Sequence, residues 1–496
     1  MYEDRIRRPA LMEKLMTAQQ AAALFKDGMT VGMSGFTRAG DAKAMPLALV
    51  ERARAAPLRL TLITGALLGN DSDGLMANAG VVARRLPFQS DAALRRKINS
   101  GEVMFIDQHL SETAEQLRSG DLAPVDIAVI EAVAITADGA IVPTMSVGNS
   151  ASFAQQARMV IVEINLSAPL ALEGLHDIYL PQDRPLRGAI PLVSPWQRIG
   201  STTIAIDPAR IAAIVITDSP DSPSNALPGD AETDAIARHV IAFLEGEVRA
   251  GRMGPELLPL QAGIGTIANA VLHGLVASPF RNMTMYSEVL QDSAIELLDS
   301  GQLAMASASS ITLSAAVHER FIRDIESYRQ RIVLRPQEIS NHPEVVRRLG
   351  IIALNTALEF DIYGNVNSTH VGGTHMMNGI GGSGDFARNG QLSIFVSKSV
   401  AKDGAISSVV PMAAHVDHTE HDVDVLVTEW GLADLRGLAP RERAPLIIEQ
   451  CAHPDYRPQL RAYFEAALRE GGQTPHVLEQ ALSWHVRYKR EGTMLR

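Results

Sequence analysis

Apolar positions along the chain fall into two alternating rhythms. Short runs of β-branched and aliphatic residues, such as "LRLTLITGA", "RIAAIVITD" and "VDVLVTEWG", read as buried strands. Between them lie stretches whose apolar residues recur at helical spacing, as in "AETDAIARHVIAFLEGEVRAG". "TAQQAAALFKDG" opens with Thr17 and has Gln20 three residues later, a capping-box pattern, and leads into the strand-like "MTVGMSGF". Strands alternating with helices predict βαβ units, hence an α/β fold with largely parallel sheets. One stretch breaks both rhythms: "TDSPDSPSNALPGDAETD", Thr217 to Asp234, with Pro220, Pro223 and Pro228. It suits neither helix nor strand and reads as a linker. It predicts an N-terminal domain over 1–220 and a C-terminal domain over 231–496. The halves echo each other: "AVAITADGAIVPTMS" and "ALEFDIYGNVNST" are each a strand, a turn and a second β-branched run. This fits a duplication, and also the general likeness of α/β domains.

Composition narrows the class. The chain has 496 residues, 46% hydrophobic and 20% charged, as a globular protein of more than one domain would. The net charge is −11 and no Lys/Arg run stands out, which argues against nucleic acid or an anionic membrane as main partner. A single cysteine, Cys451, excludes an intrachain disulfide framework and fits a reducing compartment. The first twenty residues are charged throughout, without the apolar core of a signal peptide, and no apolar run approaches a membrane span. The cytoplasm is the expected location.

Against this background a few residues stand out. In "MYSEVLQD", Met285 to Asp292, Glu288 interrupts a segment that reads as a buried strand end. A buried charge is costly unless it is paired or used. Glu429 in "LVTEWG" repeats the pattern, and the carboxyl ends of parallel strands are where α/β sheets hold ligands. "GIGTIANA" fits G-x-G-x-x-A at Gly263, Gly265 and Ala268, after a strand and opening a helix. Glu288 stands 25 residues past Gly263, which leaves open a nicotinamide-dependent oxidoreductase with Glu288 on a ribose hydroxyl. "HVGGTHMMNGIGGSGDFARNG" carries seven glycines, too many for a packed element, and suggests a backbone lying close to a ligand. His415, His418 and His421 would fall on one face of a helix and could hold a metal; a polar turn of hydrogen-bonded histidines is the alternative the pattern favours. Asn341, before a proline-led helix, reads by itself as an N-cap.

Taken together, "MYSEVLQD", "QAGIGTIANA", "EISNHPEVVRRLG", "ALEFDIYGNVNSTHVGG", "NGIGGSGDFARN", "AKDGAISSVVPM", "HVDHTEHDVDVLVTEWGLADLRG" and, earlier, "GMTVGMSGFTRAGDAKAMPLAL" resemble the acetyl-CoA hydrolase/transferase family of class I CoA-transferases. The likeness covers nearly the whole chain. It implies two similar α/β domains with the active site between them, and Glu288 as nucleophile. It implies that Gly263, Ile264, Gly265, Thr266 and Ile267 form a CoA-binding loop, with Asn378, Gly382 and Lys402 as further CoA contacts. The Ile264 and Gly382 amides would be oxyanion donors, and Asn341 and Glu429 would line the site beside the nucleophile. Thr266 departs from the asparagine expected at its position. The resemblance further implies a CoA-transferase acting on acyl-CoA and small carboxylates, succinyl-CoA with acetate first, through a glutamyl–CoA thioester. It implies no tightly bound cofactor, no metal, and a homodimer. A propionyl-CoA:succinate transferase or an acetyl-CoA hydrolase is the alternative within the family.

Overall fold

The structure, a computed structural model, describes residues 2–185, 187–224 and 227–495. Packing divides the chain into two units. The first is Met1–Asn225 together with Met285–Ile295 and Ala304–Leu349; the second is Ala226–Thr284, Glu296–Leu303 and Gly350–Arg496. The chain thus first changes unit inside the expected linker. The second expected domain, 231–496, is not one continuous body, because the stretches that carry Glu288 and Asn341 pack with the first unit.

The first unit is built on seven strands: β1 (Thr30–Met33), β2 (Leu60–Ile63), β3 (Val82–Leu86), β4 (Met104–Phe105), β5 (Ile127–Ala132), β6 (Met159–Asn165) and β7 (Ile211–Thr217). Their order is β4-β3-β2-β1-β5-β6-β7 and every ladder is parallel. Two interior sequences, "IAVIEA" and "MVIVEIN", are buried almost throughout, as a parallel sheet covered on both faces requires. The strand order turns back between β1 and β5, and open α/β sheets offer their crevice at such a switch point.

Acids sit inside these strands. Glu131 and Glu163 lie opposite each other across β5 and β6. Glu163 accepts hydrogen bonds from the amides of Lys43 (2.6 Å), Ala44 (2.8 Å) and Met45 (3.0 Å), and so satisfies the first turn of the helix Ala44–Ala55. The Lys43 ammonium pairs with Glu131 and, at 2.6 Å, with Asp221 of the linker, while donating to the Asp41 carbonyl at 2.7 Å. Burial pushes the Glu131 and Asp41 carboxyls up. Burial would lower Lys43, but Asp221, Glu131 and Asp41 outweigh it and raise the ammonium well above its ordinary value.

The returning stretches are held to this unit by backbone and buried side chains. Val147 N–H donates to the Ser309 carbonyl (2.9 Å) and Gln337 N–H to the Gly148 carbonyl (2.9 Å). Arg335, fully buried, pairs with Asp177 and donates to the carbonyls of Pro195 (3.1 Å) and Gln197 (2.6 Å). Such a pair in a low-dielectric interior is retained only when its remaining donors are satisfied, as they are here.

In the second unit the strands Leu260–Ala262, Ile352–Thr356, Leu392–Val396 and Val425–Thr428 lie side by side in that order, all parallel. The strand Gly431–Asp434 closes the edge as an antiparallel hairpin. The amphipathic helix Ala231–Arg249 starts at a capping box made by Asp230 and Thr233. Among the described residues no helix is long and apolar enough to cross a membrane.

Candidate active site

Glu288 occupies the break between two strands, Met283–Tyr286 and Val289–Leu290. Its carbonyl accepts from two successive amides, Ser309 (2.8 Å) and Ser310 (3.1 Å), so its backbone is gripped. Val289, the next residue, packs into a small apolar group with Phe36, Ala66, Phe88 and Leu110. Adjacent side chains of an extended segment point to opposite sides, so this packing fixes the backbone and leaves the carboxyl to the other side. One carboxyl oxygen accepts from the Asn341 side-chain amide at 2.6 Å. Glu288 keeps a partial opening to the surface, yet the protein around it is dense. Burial pushes its carboxyl up to about 7, and the Asn341 hydrogen bond offsets only part of that rise.

Asn341 is not an N-cap. It ends the short helix Gln337–Ser340, and its side-chain amide donates to Glu288. The geometry is fixed from behind: the Tyr286 hydroxyl donates to the Ile339 carbonyl at 2.6 Å, tying the strand before Glu288 to the helix before Asn341. A loop after β1 supplies a third support. Thr37 and Arg38 are both left-handed, with φ of 51° and 72°. The Ser310 hydroxyl donates to the Phe36 carbonyl (2.9 Å) and the Thr312 hydroxyl to the Thr37 carbonyl (2.6 Å). Backbone strain of this kind persists where surrounding contacts over-determine it.

The other expected site residues belong to the second unit. Gly263 N–H donates to the Leu354 carbonyl (2.9 Å). Gly265 has φ +117° and precedes the helix Thr266–Leu275, so Thr266 and Ile267 form its first turn, where backbone N–H groups favour an anion. Ile264, an apolar residue, is 42% exposed. The Asn378 side-chain amide donates to the carbonyls of Ser368 (3.1 Å) and Gly379 (3.0 Å), and Gly382 leads the short helix Ser383–Ala387. The Lys402 ammonium donates to the Tyr488 hydroxyl at 2.6 Å. Glu429 lies in the tight turn between Val425–Thr428 and Gly431–Asp434, its carboxylate held by the Ser399 amide (2.9 Å) and hydroxyl.

The histidines and Cys451 also belong to the second unit. The histidines do not share a helix face: His415 stacks on His370 with ring centroids 3.9 Å apart, and His418 is hydrogen-bonded to Ser383 (3.1 Å). Among the described residues no group of three or more His, Cys, Asp or Glu is arranged to hold a metal. Cys451 is buried, and burial pushes its thiol up to about 12, so it is a poor nucleophile.

The Acetyl-CoA hydrolase/transferase N-terminal domain matches residues 1–216 and the Acetyl-CoA hydrolase/transferase C-terminal domain matches residues 318–464. The chain is 50% identical over 495 residues to succinyl-CoA:acetate CoA-transferase of Clostridium kluyveri, covering 99% of this chain and 92% of that one. The chain belongs to the acetyl-CoA hydrolase/transferase family. Within that family it is 45% identical to propanoyl-CoA:succinate CoA transferase of Escherichia coli, covering 97% of this chain and 98% of that one. It is 42% identical to acetyl-CoA hydrolase of Kluyveromyces lactis, covering 100% and 98%. The fold is shared with 4-hydroxybutyrate CoA-transferase of Porphyromonas gingivalis, with TM-score 0.64 at 21% identity over 94% of this chain and 100% of that one. Membership of the acetyl-CoA hydrolase/transferase family sets aside the nicotinamide reading of "GIGTIANA".

Reading the residues alone missed the supports: the Ser309 and Ser310 amides, the left-handed pair Thr37 and Arg38, Ser399 and Trp430. The run "SASSITLS" holds the first two, but small polar residues signal nothing until their partners are known.

Proposed function

We propose that the chain moves CoA between small carboxylic acids, with succinyl-CoA and acetate as the first pair, by covalent catalysis at Glu288. The observation that carries this is the Glu288 carboxyl, raised to about 7 by burial and oriented by Asn341 at 2.6 Å. A more basic carboxylate is a better nucleophile, and one hydrogen bond fixes its direction of attack. Glu288 attacks the acyl-CoA carbonyl; the C–S bond breaks and leaves an acyl–glutamyl anhydride and CoA thiolate. The thiolate attacks the glutamyl carbonyl, releasing the first acid and leaving a glutamyl–CoA thioester. A second carboxylate then reverses both steps, so no water is consumed. Each tetrahedral intermediate carries an oxyanion, for which the Ile264 and Gly382 amides are the proposed donors; one such donor is typically worth roughly 3–4 kcal/mol. Gly263, Gly265, Thr266, Ile267, Asn378 and Lys402 are proposed to hold CoA. The reading includes a homodimer in the cytoplasm, on the family resemblance and the reduced single cysteine.

Acyl-CoA without acceptor should load Glu288 as the thioester. Borohydride should then inactivate the loaded enzyme and spare the resting one, and peptide mapping should find the change in "NMTMYSEVLQDSAIELL". Kinetics should be ping-pong. Sequential kinetics without borohydride sensitivity would sink the proposal. The acetyl-CoA hydrolase relatives supply a second reading, which rapid acyl-CoA consumption without any acceptor would favour.

A further inference from the structure

Glu429 and Trp430 are the two turn residues of the hairpin whose ladder closes on Thr428 and Gly431. A single residue, Ser399, takes both oxygens of the Glu429 carboxylate. Its amide donates to Oε2 at 2.9 Å and its hydroxyl donates to Oε1. Ser399 is fully buried, at 0% exposure. A serine hydroxyl has one proton, and here Glu429 receives it. The same oxygen accepts from the Trp430 indole Nε1–H at 3.1 Å. An indole nitrogen only donates, so the direction of the chain is fixed: indole to hydroxyl to carboxylate.

Trp430 is 45% exposed, yet its ring is held in place. The Arg457 guanidinium lies 5.8 Å from the ring centroid, and the His453 ring meets it edge-on at 5.4 Å. The residue beside Ser399 is tethered too: the Lys398 ammonium pairs with Asp230 and, at 2.7 Å, with Glu232, at the start of the helix Ala231–Arg249. Neither Glu429 oxygen can turn without breaking a hydrogen bond to a buried residue.

We infer that Ser399 and Trp430 are positioning residues of the transfer reaction, acting through Glu429. The inference rests on the proposed CoA-transferase function and on the family resemblance, which implies Glu429 as a residue of the site. A carboxylate held by two donors on one side presents one fixed orientation to every substrate, and no rotamer freedom is lost on the way to the transition state. Charge-assisted hydrogen bonds of this kind are also stronger than neutral ones.

Double-mutant kinetics on the full chain test it. Ser399→Ala should lower kcat roughly ten-fold, the low end for loss of a hydrogen bond to a charged group, with KM for acyl-CoA changed by less than about two-fold. Ser399→Thr keeps a hydroxyl and should recover most of that loss. Trp430→Phe keeps a ring between Arg457 and His453 and removes only the N–H; on a half-exposed side chain it spares the fold, and kcat should fall about three-fold. In a Glu429→Gln background, neither Ser399→Ala nor Trp430→Phe should cause further loss. Losses that multiply in that background overturn the inference, as does wild-type kcat in Trp430→Phe or in Glu429→Gln itself. Should Ser399→Ala fail to fold, Trp430→Phe decides alone. The two layers separate cleanly: no borohydride-trappable adduct in the wild type removes the transferase function and this inference with it. An intact adduct with multiplying losses removes only the role of Ser399 and Trp430.

Discussion

At Glu288 the two opposing effects are unequal. Taking the carboxyl out of water disfavours its charge, and a single amide from Asn341 restores only part of that loss, so the group rises to about 7. A carboxyl raised in the folded state makes its stability contribution at low pH. That contribution is complete below the ordinary value of 4.5 and is lost as pH rises through about 7. Glu288→Gln therefore should abolish turnover and yet raise stability at pH 8, by about 1–3 kcal/mol after allowing for screening through its opening to solvent. Thermal melting beside an activity assay checks both; a less stable variant would contradict the account. The rate of the first half-reaction should fall as pH drops through about 7, because the proposed nucleophile is the ionised carboxylate. Asn341→Ala removes the donor that favours the charged form, so the acidic limb of that profile should move to higher pH. An unmoved limb would show that Asn341 does not govern Glu288. Asn341 was legible in the sequence as a polar residue near a helix start, but its partner lies 53 positions away, and nothing local indicates it.

At the scale of elements, the loop Gly263–Ile267 shows why a motif can be read and still be ambiguous. Gly-x-Gly before a helix is visible in sequence because the backbone needs it: Gly265 takes φ +117° and ψ 177°, a region closed to side chains. An added Cβ at Gly265 would meet nothing within 4 Å, so crowding plays no part. Gly265→Ala should cost about 1–3 kcal/mol from strain alone, and should raise KM for acyl-CoA more than it lowers the melting temperature. Calorimetry and steady-state kinetics give the two numbers; unchanged KM would detach this loop from CoA. The histidines show the reverse. A spacing of three suggests a helix face, but "AAHVDHTEHDVD" runs through bends and a bridge at His418 into the short 3-10 helix Glu420–Asp422, and the His415 and His418 rings find separate partners.

Over the whole molecule, the chain order and the packing order part company. A fragment of residues 231–496 contains Glu288 and Asn341 but lacks the groups that hold them. Missing would be the Phe36 and Thr37 carbonyls that receive Ser310 and Thr312, and the Asp177 carboxylate that neutralises Arg335. An unpaired buried guanidinium alone costs about 3–5 kcal/mol. The fragment should therefore lose near-ultraviolet circular dichroism and the proposed transferase activity, and a cooperative melt from it would overturn the division into units.

The sequence by itself determined the class of fold, since β-branched runs alternating with amphipathic stretches bury their apolar surface most readily as largely parallel strands covered by helices. It also marked Glu288 for a role, because a glutamate placed in an apolar strand end must be paired or used. Only the tertiary structure decided which groups surround that glutamate. Burial and hydrogen bonds join residues regardless of their separation along the chain, so the 2.6 Å contact from Asn341, the amides of Ser309 and Ser310, and the chain from Trp430 through Ser399 to Glu429 exist only after folding. The same reason moved Met285–Ile295 and Ala304–Leu349 into the first unit: their donors and acceptors find partners there, and unsatisfied buried groups would cost more than the crossing.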